Sequence, residues 1–363
     1  MKKILIVGQT PPPFGGQAVM IEKMLGFSYD KIKLYHIRMS FSGEMDEIGK
    51  FKLKKVFHLF YIIYKIILFR LKYNIKTLYY PPAGPDKVPV IRDIIILLCT
   101  RWLFKTIIFH FHAGGLASLY PKLSPIYKFF FRKAYFYPEI SIRSSEKNPD
   151  DANGLKTKKE FIIPLGIEDH YTNIANNIQN KVPQILFVGF IVEHKGIIQL
   201  IEAAKHLKDK KIEFQINLMG KFESPEFERL IKNNIQQNDL KNHINFLGVL
   251  TGQEKYNAFS NADILCHPSF LETFGIVLLE GMQFKLPVVA TDWGVISTIV
   301  EDGKSGLLFP LKDSKALAEK LALLIENDEL RKQYGETGRE VFLQKYTLHT
   351  FCRMFEEVLH KHC

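Results

Sequence analysis

The sequence predicts an α/β protein made of two doubly wound, Rossmann-like domains, each with a mainly parallel sheet. Short apolar runs alternate with helix-length amphipathic segments, and this alternation occurs twice, on either side of a polar, Asn-rich stretch. The length of 363 residues also exceeds that of one ordinary hydrophobic core. We therefore predict domains at 1–170 and 184–345, a linker at 171–183, and a last helix at 346–363 that returns to the first domain.

Composition indicates a globular protein of the cytoplasm. The chain is 47% hydrophobic and 24% charged, which is usual for such proteins. Its four cysteines are far apart and form no CxxC pair, so neither a zinc site nor a disulfide framework is indicated. The apolar run after the first Met-Lys-Lys is too short for a signal peptide.

The positive charge of the chain is concentrated in its first half. Residues 1–180 hold 27 Lys and Arg against 14 Asp and Glu, a net +13, while residues 181–363 hold 22 against 24, a net −2. Such asymmetry predicts that the first domain faces an acidic surface or substrate.

Two features of the first domain are candidate site elements. Gly15 and Gly16 lie between the first strand and the first helix, without the spacing of the dinucleotide fingerprint, so a tight turn and a ligand-facing loop both fit them. His112 follows the strand TIIFHF on the same side as His110, at the carboxyl end of the strand where open α/β sheets bind ligands. The alternative for His112 is an ordinary core or surface histidine.

The stretch Phe51–Lys76 predicts a helix with an unusual surface. From Lys50 to Lys76 the chain has eight basic and no acidic residues, and its longest uncharged run, Val56–Tyr64, is too short to span a bilayer. Aromatic and aliphatic residues interleaved with Lys and Arg favour a helix lying on an anionic membrane. The residues expected to enter it are Phe57, Phe60, Tyr61 and Ile62 or Ile63. The alternative is a helix whose apolar face packs on the sheet and leaves a solvated basic edge.

In the second domain, Lys195 and Gly196 lie where the first strand passes into a helix. Lys195 could therefore reach an anion held at that helix N-terminus, or it could be an ordinary exposed lysine.

The segment 269–291 carries two glutamates around the start of an apolar helix. Glu272 lies in the turn before the helix and Glu280 lies within it, in a predicted helix from Ile276 to Phe284. The amides of Gly275 and Ile276 open this helix, and its dipole favours an anion such as a diphosphate. An ionised Glu280 on a buried helix needs partners, which ligand hydroxyls could supply. The alternative is that Glu272 caps the helix and Glu280 pairs with a Lys or Arg.

The order of these motifs resembles that of family 4 glycosyltransferases with the GT-B fold. The resemblance rests on FHFHAGG, GFIVEHKG, Glu272-x7-Glu280, LPVVATDWG and EDGKSGLLF, which together cover nearly the whole chain. It implies a retaining enzyme that binds a nucleotide-diphosphate sugar, most simply a UDP-sugar, in a cleft between the domains. The transferred group would be a hexose or N-acetylhexosamine. The acceptor would be a glycan or a polyprenyl-diphosphate-linked glycan, in the synthesis of a surface polysaccharide such as capsule or O-antigen.

The resemblance also assigns roles to the candidate residues. Glu280 would hold the ribose hydroxyls and Glu272 the hydroxyls of the transferred sugar, while Lys195 would stabilise the leaving diphosphate. The turn residues Phe274, Gly275 and Ile276 would bind the donor beside it, the last two through their amides. His112 would line the sugar site from the first domain, and Gly15 and Gly16 would approach the phosphates or the acceptor.

No metal and no other cofactor is expected, because the chain has no Asp-x-Asp pair to hold Mg²⁺. We expect a cytoplasmic protein that is peripheral to the inner face of the membrane. Two departures from the family pattern bear on the identity of the donor. Phe190 stands where the family usually has an Arg, and Gly294 to Thr298 replace its Gly-Gly-x-Pro-Glu.

Two other functions fit parts of the sequence. The same fold also hosts nucleotide-sugar epimerases and phosphorylases. A pI near 9.2 is compatible with nucleic-acid binding, but the basic residues fall on an apolar helix instead of an aromatic-lined groove, so no nucleic acid is predicted as a partner.

Overall fold

The computed structural model describes residues 1–12, 15–41, 53–171 and 180–363, with the side chains of 53–55 excepted. Most of the predicted linker and the Lys50–Lys52 start of the predicted basic helix lie outside these ranges. The chain divides into two compact units, residues 1–164 with 351–363, and residues 165–350.

The division between the units falls before the predicted linker. Residues after Pro164 join the second unit because the amide of Ile167 donates to the carbonyl of Tyr346 over 2.9 Å, and Ile167 forms a bridge with Thr347. The boundary near 170 that we predicted from the polar stretch lies six residues after this division.

The first unit is a six-stranded parallel sheet with strand order β2-β1-β3-β4-β5-β6. Its central strands are continuous apolar runs because both faces of the sheet are covered, as in Ile4 to Val7, which are fully buried. The elements in chain order are β1 (Lys2–Gly8), α1 (Gly16–Gly26), β2 (Ile32–Arg38), α2 (Leu53–Lys72), β3 (Thr77–Tyr80), α3 (Lys87–Thr100), β4 (Thr106–Phe111), α4 (Leu116–Leu119), α5 (Pro125–Tyr135), β5 (Ile140–Arg143), α6 (Asp151–Gly154) and β6 (Lys159–Ile162).

The second unit is also a six-stranded parallel sheet, with strand order β12-β11-β10-β7-β8-β9. This is the 3-2-1-4-5-6 order of doubly wound folds, and its connections change direction between β7 and β10. Its elements are β7 (Gln184–Val188), α7 (Ile197–Asp209), β8 (Gln215–Met219), α8 (Pro225–Gln237), β9 (Ile244–Gly248), α9 (Gly252–Ser260), β10 (Ile264–His267), α10 (Ile276–Gln283), β11 (Val288–Thr291), α11 (Ile296–Ile299), β12 (Gly306–Phe309), α12 (Ser314–Ile325) and α13 (Asp328–Lys345). The last helix, α14 (Leu348–His362), begins in this unit and continues into the first.

The last helix returns to the first unit, as predicted. Residues 351–363 of α14 belong to that unit. The ring of Phe355 lies 5.7 Å from that of Tyr79, and the carboxylate of Glu356 accepts a 2.6 Å hydrogen bond from the amide of Lys31. A buried aromatic contact and a charge-assisted hydrogen bond therefore hold the helix against the first sheet.

Helix α2 begins at Leu53 and ends at Lys72, four residues before the predicted end. Its inward residues Ile62 and Ile63 are 0% and 8% exposed and belong to the core of the first unit, so the expectation that one of them enters a membrane is wrong. Because of the helical periodicity, Ile62 and Ile63 lie on the face of α2 that packs on the sheet, while neighbouring residues lie on the outer face. Among the described residues, no helix combines the length and the apolar character needed to cross a bilayer.

Candidate active site

The two strands at the direction change of the second sheet bring distant residues together. Strand β7 pairs in parallel with β10, so their carboxyl ends lie at the same edge of the sheet. Lys195 lies in the turn after β7, His267 is the last residue of β10, and Glu272 follows in the next loop. Carboxyl ends at such a direction change are where open α/β sheets bind ligands.

One carboxylate oxygen joins these three residues. Glu272 Oε1 lies 2.9 Å from His267 Nε2 and also accepts a hydrogen bond from Lys195 Nζ. The side chains of Glu272, Lys195 and His267 are 11%, 20% and 2% exposed, so the cluster is only partly reached by water. The other ring nitrogen of His267, Nδ1, is buried and has no hydrogen-bond partner in the part of the chain that the structure describes.

The contacts of Glu272 decide its ionisation. Burial acts to raise the pKa of Glu272, but the hydrogen bond and charge of His267, together with Lys195, outweigh it and lower the pKa to about 2. The carboxylate is therefore ionised at physiological pH, and it can accept hydrogen bonds from hydroxyl groups but cannot donate a proton to a leaving group.

A close backbone approach fixes the two loops that carry the cluster. Gly196 has φ 75°, and a Cβ atom there would lie 2.1 Å from the carbonyl oxygen of Pro268. The amide of Phe270 also donates a 3.0 Å hydrogen bond to the carbonyl of His194. The spacing between Lys195 and Glu272 is thus set by backbone contact, and glycine is needed to permit it.

Helix α10 begins beside this cluster with no side chain capping it. Gly275 precedes the helix with φ 89° and ψ 55°, a left-handed conformation that favours glycine, and no side chain caps this end. The helix runs from Ile276 to Gln283, one residue shorter than predicted. The first amides and the helix dipole remain suited to an anion.

The side chain of Phe274 is 3% exposed and packs against the ring of Tyr346 at 6.3 Å. The ring of Phe274 is therefore part of the packing beneath the turn. The predicted contact of Phe274 with the donor would have to be made by its backbone.

Glu280 has a protein partner. Its Oε1 lies 2.5 Å from Nζ of Lys255 on α9, and the two side chains are 15% and 27% exposed. The structure thus shows the ion pair that the sequence offered as the alternative to ribose binding. A partly exposed pair at a sheet edge can still receive hydroxyl groups, so the predicted role in nucleotide binding remains open to test.

The rim of this edge is apolar. Phe190, Leu271 and Trp293, in the loops after β7, β10 and β11, are 60%, 63% and 45% exposed. At position 190 the side chain is a solvent-exposed ring where the family pattern has a cation. A separate cavity beside Asp263, Lys285 and Arg331 lies at the opposite edge of the sheet and contains none of the predicted site residues.

In the first unit, His110 and His112 lie on the same side, as predicted. Their rings stack at 4.1 Å, and the hydroxyl of Tyr79 lies 2.8 Å from Nδ1 of His110 and 3.4 Å from Nε2 of His112. Burial lowers the pKa of His112 to about 4, so this imidazole is neutral at physiological pH. Burial and the neighbouring His112 also lower the pKa of His110.

A buried carboxylate already occupies the helix start next to His112. Asp151 accepts hydrogen bonds of 2.8 Å from the amide of Gly115 and 2.6 Å from the amide of Ala117. An anionic ligand would therefore have to displace Asp151 from the amino end of α4. This contact could not be predicted from a local pattern, because Asp151 lies 36 residues after Gly115.

In the described part of the chain, no packing contact requires glycine at positions 15 and 16. A Cβ atom at Gly15 or Gly16 would meet no described atom within 4 Å, and Gly15 is extended with φ −111°. The guanidinium of Arg38 holds the preceding loop by donating to the carbonyls of Pro11 and Pro12 over 3.0 and 2.9 Å. The ligand-facing role of the two glycines stays a prediction.

Two residues of the second-unit cluster were missed in the sequence. His267 had a usable signal, since it is a polar residue at the end of an apolar strand and five residues before Glu272. Lys255 had none, because only the packing of α9 beside α10 brings it to Glu280. Among the described residues, no group of three or more His, Cys, Asp or Glu could hold a metal ion.

Comparison with known proteins identifies relatives of this site. Residues 172–341 match the family model described as Glycosyl transferases group 1. The phosphatidyl-myo-inositol mannosyltransferase of Mycobacterium leprae is 35% identical over 158 residues, which cover 43% of this chain and 41% of that protein. The O-antigen chain mannosyltransferase C of Escherichia coli is 31% identical over 200 residues, 52% and 51% of the two chains. The chain thus spans about half the length of the curated relatives it matches.

A solved structure extends the likeness to the whole fold. The Anabaena HepE protein in complex with UDP matches with a TM-score of 0.72 and 17% identity, over 99% of this chain and all of that one. At this identity the likeness shows the fold, and it confirms the predicted GT-B architecture.

Proposed function

We propose that the chain is a group 1 glycosyl transferase, the family whose model its residues 172–341 match and whose family 4 type its motifs resemble. The proposed reaction is transfer of a hexose or N-acetylhexosamine from a nucleotide-diphosphate sugar with retention of configuration. The observation that carries the proposal is the cluster of Lys195, His267 and Glu272 beside the uncapped start of α10. It combines a cation for a leaving diphosphate with a carboxylate that stays ionised.

Lys195 and α10 supply the electrostatic part of the reaction. Negative charge grows on the diphosphate as the glycosidic bond breaks, so donors fixed in advance lower the barrier more than they tighten ground-state binding. Lys195 is paired with Glu272 without donor and would turn to the diphosphate when the donor binds. The amides of Gly275 and Ile276 would bind the same group from the other side.

Glu272 and His267 supply the sugar-binding part. When Lys195 turns to the diphosphate, His267 keeps hold of Glu272 through its 2.9 Å contact, and the carboxylate accepts hydrogen bonds from hydroxyls of the transferred sugar. A glutamate with a pKa of about 2 binds these hydroxyls without protonating them. Protonation of the leaving group is not needed, because a diphosphate leaves as an anion.

We propose a UDP-sugar as donor and a glycan or polyprenyl-diphosphate-linked glycan of a surface polysaccharide, such as capsule or O-antigen, as acceptor. UDP is bound by the HepE protein, and two relatives are named for mannosyl transfer to a phospholipid headgroup and to an O-antigen chain. These names support a sugar donor and a lipid-borne or polysaccharide acceptor. GDP-sugars are the competing donors, since the relatives are mannosyltransferases.

We also propose that the protein works at the cytoplasmic face of a membrane, docked through α2. The outward side chains of this helix are large and apolar, with Phe57, Phe60 and Tyr61 72%, 61% and 51% exposed. Basic residues follow on the same helix, including Lys65, whose Nζ lies 5.3 Å from the ring centre of Tyr61. Aromatic side chains with neighbouring lysines suit the interface of an anionic bilayer.

The direct test uses a panel of UDP-, GDP- and ADP-sugars without acceptor. A bound donor at 100 times its dissociation constant should stabilise the protein by about 2.7 kcal/mol and raise its Tm. Slow hydrolysis of that donor should proceed at the same rate in EDTA, and the glycosidic linkage formed when an acceptor is added should keep the anomeric configuration of the donor by NMR. Stabilisation by no donor, or an inverted product, contradicts the proposal. A changed sugar indicates an epimerase, and turnover only with inorganic phosphate indicates a phosphorylase.

Substitutions in the two units should separate binding from transfer. Glu280→Ala should weaken binding of the free nucleotide by about 1–3 kcal/mol, because ribose hydroxyls lose their acceptor and Lys255 its partner. His112→Ala should leave nucleotide affinity unchanged and abolish transfer, because we assign His112 to the sugar. Each variant is the control for the other by calorimetry and donor hydrolysis. Unchanged affinity in Glu280→Ala, or full activity in folded His112→Ala, contradicts the corresponding role.

A further inference from the structure

The exposed surface of the first unit has a second large apolar area besides α2. On helix α5, Ile126, Tyr127, Phe129 and Phe130 are 71%, 50%, 58% and 42% exposed. Ile126, Phe129 and Phe130 are spaced three and four residues apart and so share one face of the helix. The opposite face, with Phe131, Ala134 and Tyr135, is fully buried in the core. Soluble proteins seldom leave so many large apolar side chains together in water.

Helix α3 connects this area to α2. It contacts both α2 and α5, and the buried sides of all three helices belong to the same core on one face of the sheet. Their exposed sides therefore point away from the sheet together. We call these outward side chains the α2–α3–α5 face. Its large apolar members are Phe57, Phe60, Tyr61, Tyr64, Leu68, Leu71, Val88, Ile91, Ile95, Ile126, Tyr127, Phe129 and Phe130, and we include Trp102, which follows α3 directly.

The charges of this face are of one sign. From residue 56 onwards the three helices carry eight basic side chains and a single acidic one, Asp93. Asp93 is fully buried and bonded to Arg92 and to the hydroxyl of Tyr80, so the Arg92–Asp93 pair is neutral and seven basic side chains remain. Within the three helices, the outward apolar side chains are therefore accompanied by an excess of positive charge.

The basic residues of α5 lie next to its aromatic rings. Nζ of Lys133 lies 5.9 Å from the ring centre of Phe129, and both Arg132 and Lys133 are exposed. A long basic side chain beside an aromatic ring can cover apolar surface while its charge reaches the lipid headgroups. Trp102, 76% exposed just after α3, adds a residue type that favours the bilayer interface.

We infer that the α2–α3–α5 face lies flat on an anionic bilayer, with Ile126, Phe129 and Phe130 of α5 inserted in the interface as a second contact beside α2. Anionic lipid fits both the apolar area and the uniform positive charge. A second copy of the chain does not, because a symmetric contact would place basic residues against basic residues. The inference deepens the proposed function and rests on its membrane-borne acceptor.

The test is vesicle co-sedimentation without donor or acceptor, so its outcome is independent of sugar transfer. Wild type should bind vesicles of phosphatidylcholine with 30 mol% phosphatidylglycerol, taken as about the range of natural anionic surfaces, and should be released by high salt. The triple variant Ile126→Ser, Phe129→Ser, Phe130→Ser should bind on the order of 100-fold more weakly. Its Tm should stay near that of wild type, because the three side chains are already exposed.

A matched control removes three exposed apolar side chains from the second unit. Leu230, Leu323 and Leu343 are 50%, 45% and 47% exposed, and their triple change to Ser should leave vesicle binding unchanged. Equal binding of the α5 variant and wild type overturns the inference. In that case an α2 variant with Phe57, Phe60 and Tyr61 changed to Ser tests docking through α2 alone, which stands if this variant loses vesicle binding. Equal loss in the Leu control overturns the assignment to this face. A fourth outcome is that wild type does not bind vesicles but dimerises with rising concentration, and that the α5 variant does not dimerise. This outcome assigns the face to a second copy of the chain and also overturns the inference.

Fluorescence locates the contact independently. The chain has two tryptophans, so Trp293→Phe leaves Trp102 as the reporter at the α3 end of the face. Vesicles of lipids brominated near the carbonyl group should quench Trp102 emission, because bromine quenches over short distances. Unquenched emission from protein that pellets with the vesicles contradicts a flat contact of this face.

Discussion

We expect Lys195→Ala to lower the turnover number of sugar transfer by about 10²–10³-fold while nucleotide affinity changes little. Lys195 is the cation that the loop after β7 places beside Glu272, and the neighbouring Phe190 supplies no second charge. Removing it leaves the growing charge of the diphosphate to the α10 amides, and it leaves the negative charge of Glu272, close to the leaving group, with His267 as its remaining partner in this cluster.

The control for this change is an exposed lysine with the same chemistry. Lys232 pairs with Glu228 on α8, with side chains 56% and 39% exposed, so Lys232→Ala should leave turnover unchanged. Single-turnover and steady-state rates for both variants separate the effects on the chemical step and on KM. A Lys195→Ala enzyme with normal turnover and a raised KM would make Lys195 a ground-state contact and contradict the proposed role.

Glu272→Gln should abolish measurable transfer and also destabilise the protein. Gln keeps the size of the side chain, but it removes the charge that Lys195 and His267 share, and those two groups are mostly buried. We expect a loss of about 2 kcal/mol at pH 7, which corresponds to a fall in Tm of about 5 °C. The matched substitution Glu228→Gln on the exposed pair should change Tm by less than about 1 °C.

The pH dependence of that loss has a definite sign. The folded pKa of Glu272, about 2, lies below its ordinary value of 4.5, so the ionised carboxylate contributes stability above pH 4.5 that is lost as the pH falls towards 2. The difference in Tm between wild type and Glu272→Gln should therefore be constant from neutral pH to about 5 and should shrink towards zero at lower pH. A difference that persists unchanged at pH 2.5 would show that ionisation of Glu272 does not stabilise the fold.

The central elements of both units followed from the sequence because their patterns are strong and local. Buried parallel strands are continuous apolar runs, and α10 is apolar between a glycine and a proline, so its limits were predicted to one residue. Two of the four edge strands, β6 and β12, were not predicted. Strand β6 (Lys159–Ile162) is half exposed and carries charges, and β12 (Gly306–Phe309) is four residues inside a turn-rich segment.

Only those site residues that lie in loops between a strand and a helix could be predicted from the sequence. The candidate carboxylate Glu272 and cation Lys195 came from strand–helix junctions, which are local patterns, and the structure brings them into contact across 77 residues. The partners of the other groups depend on tertiary packing. Lys255 reaches Glu280 from a neighbouring helix, and Asp151 fills a helix start that the sequence left open. Which side of α2 faces the core also could not be predicted, since both sides are apolar.

The contact between Gly196 and Pro268 limits how this protein can be redesigned. Any side chain at Gly196 would collide with a backbone carbonyl instead of a movable group, so the two loops would have to separate and Lys195 would move away from Glu272. Libraries that aim to change donor choice should therefore keep Gly196 and Pro268 fixed and vary the exposed rim at Phe190, Leu271 and Trp293. Substitutions at these three rim positions change the surface that meets a ligand, and they leave the spacing between Lys195 and Glu272 unchanged.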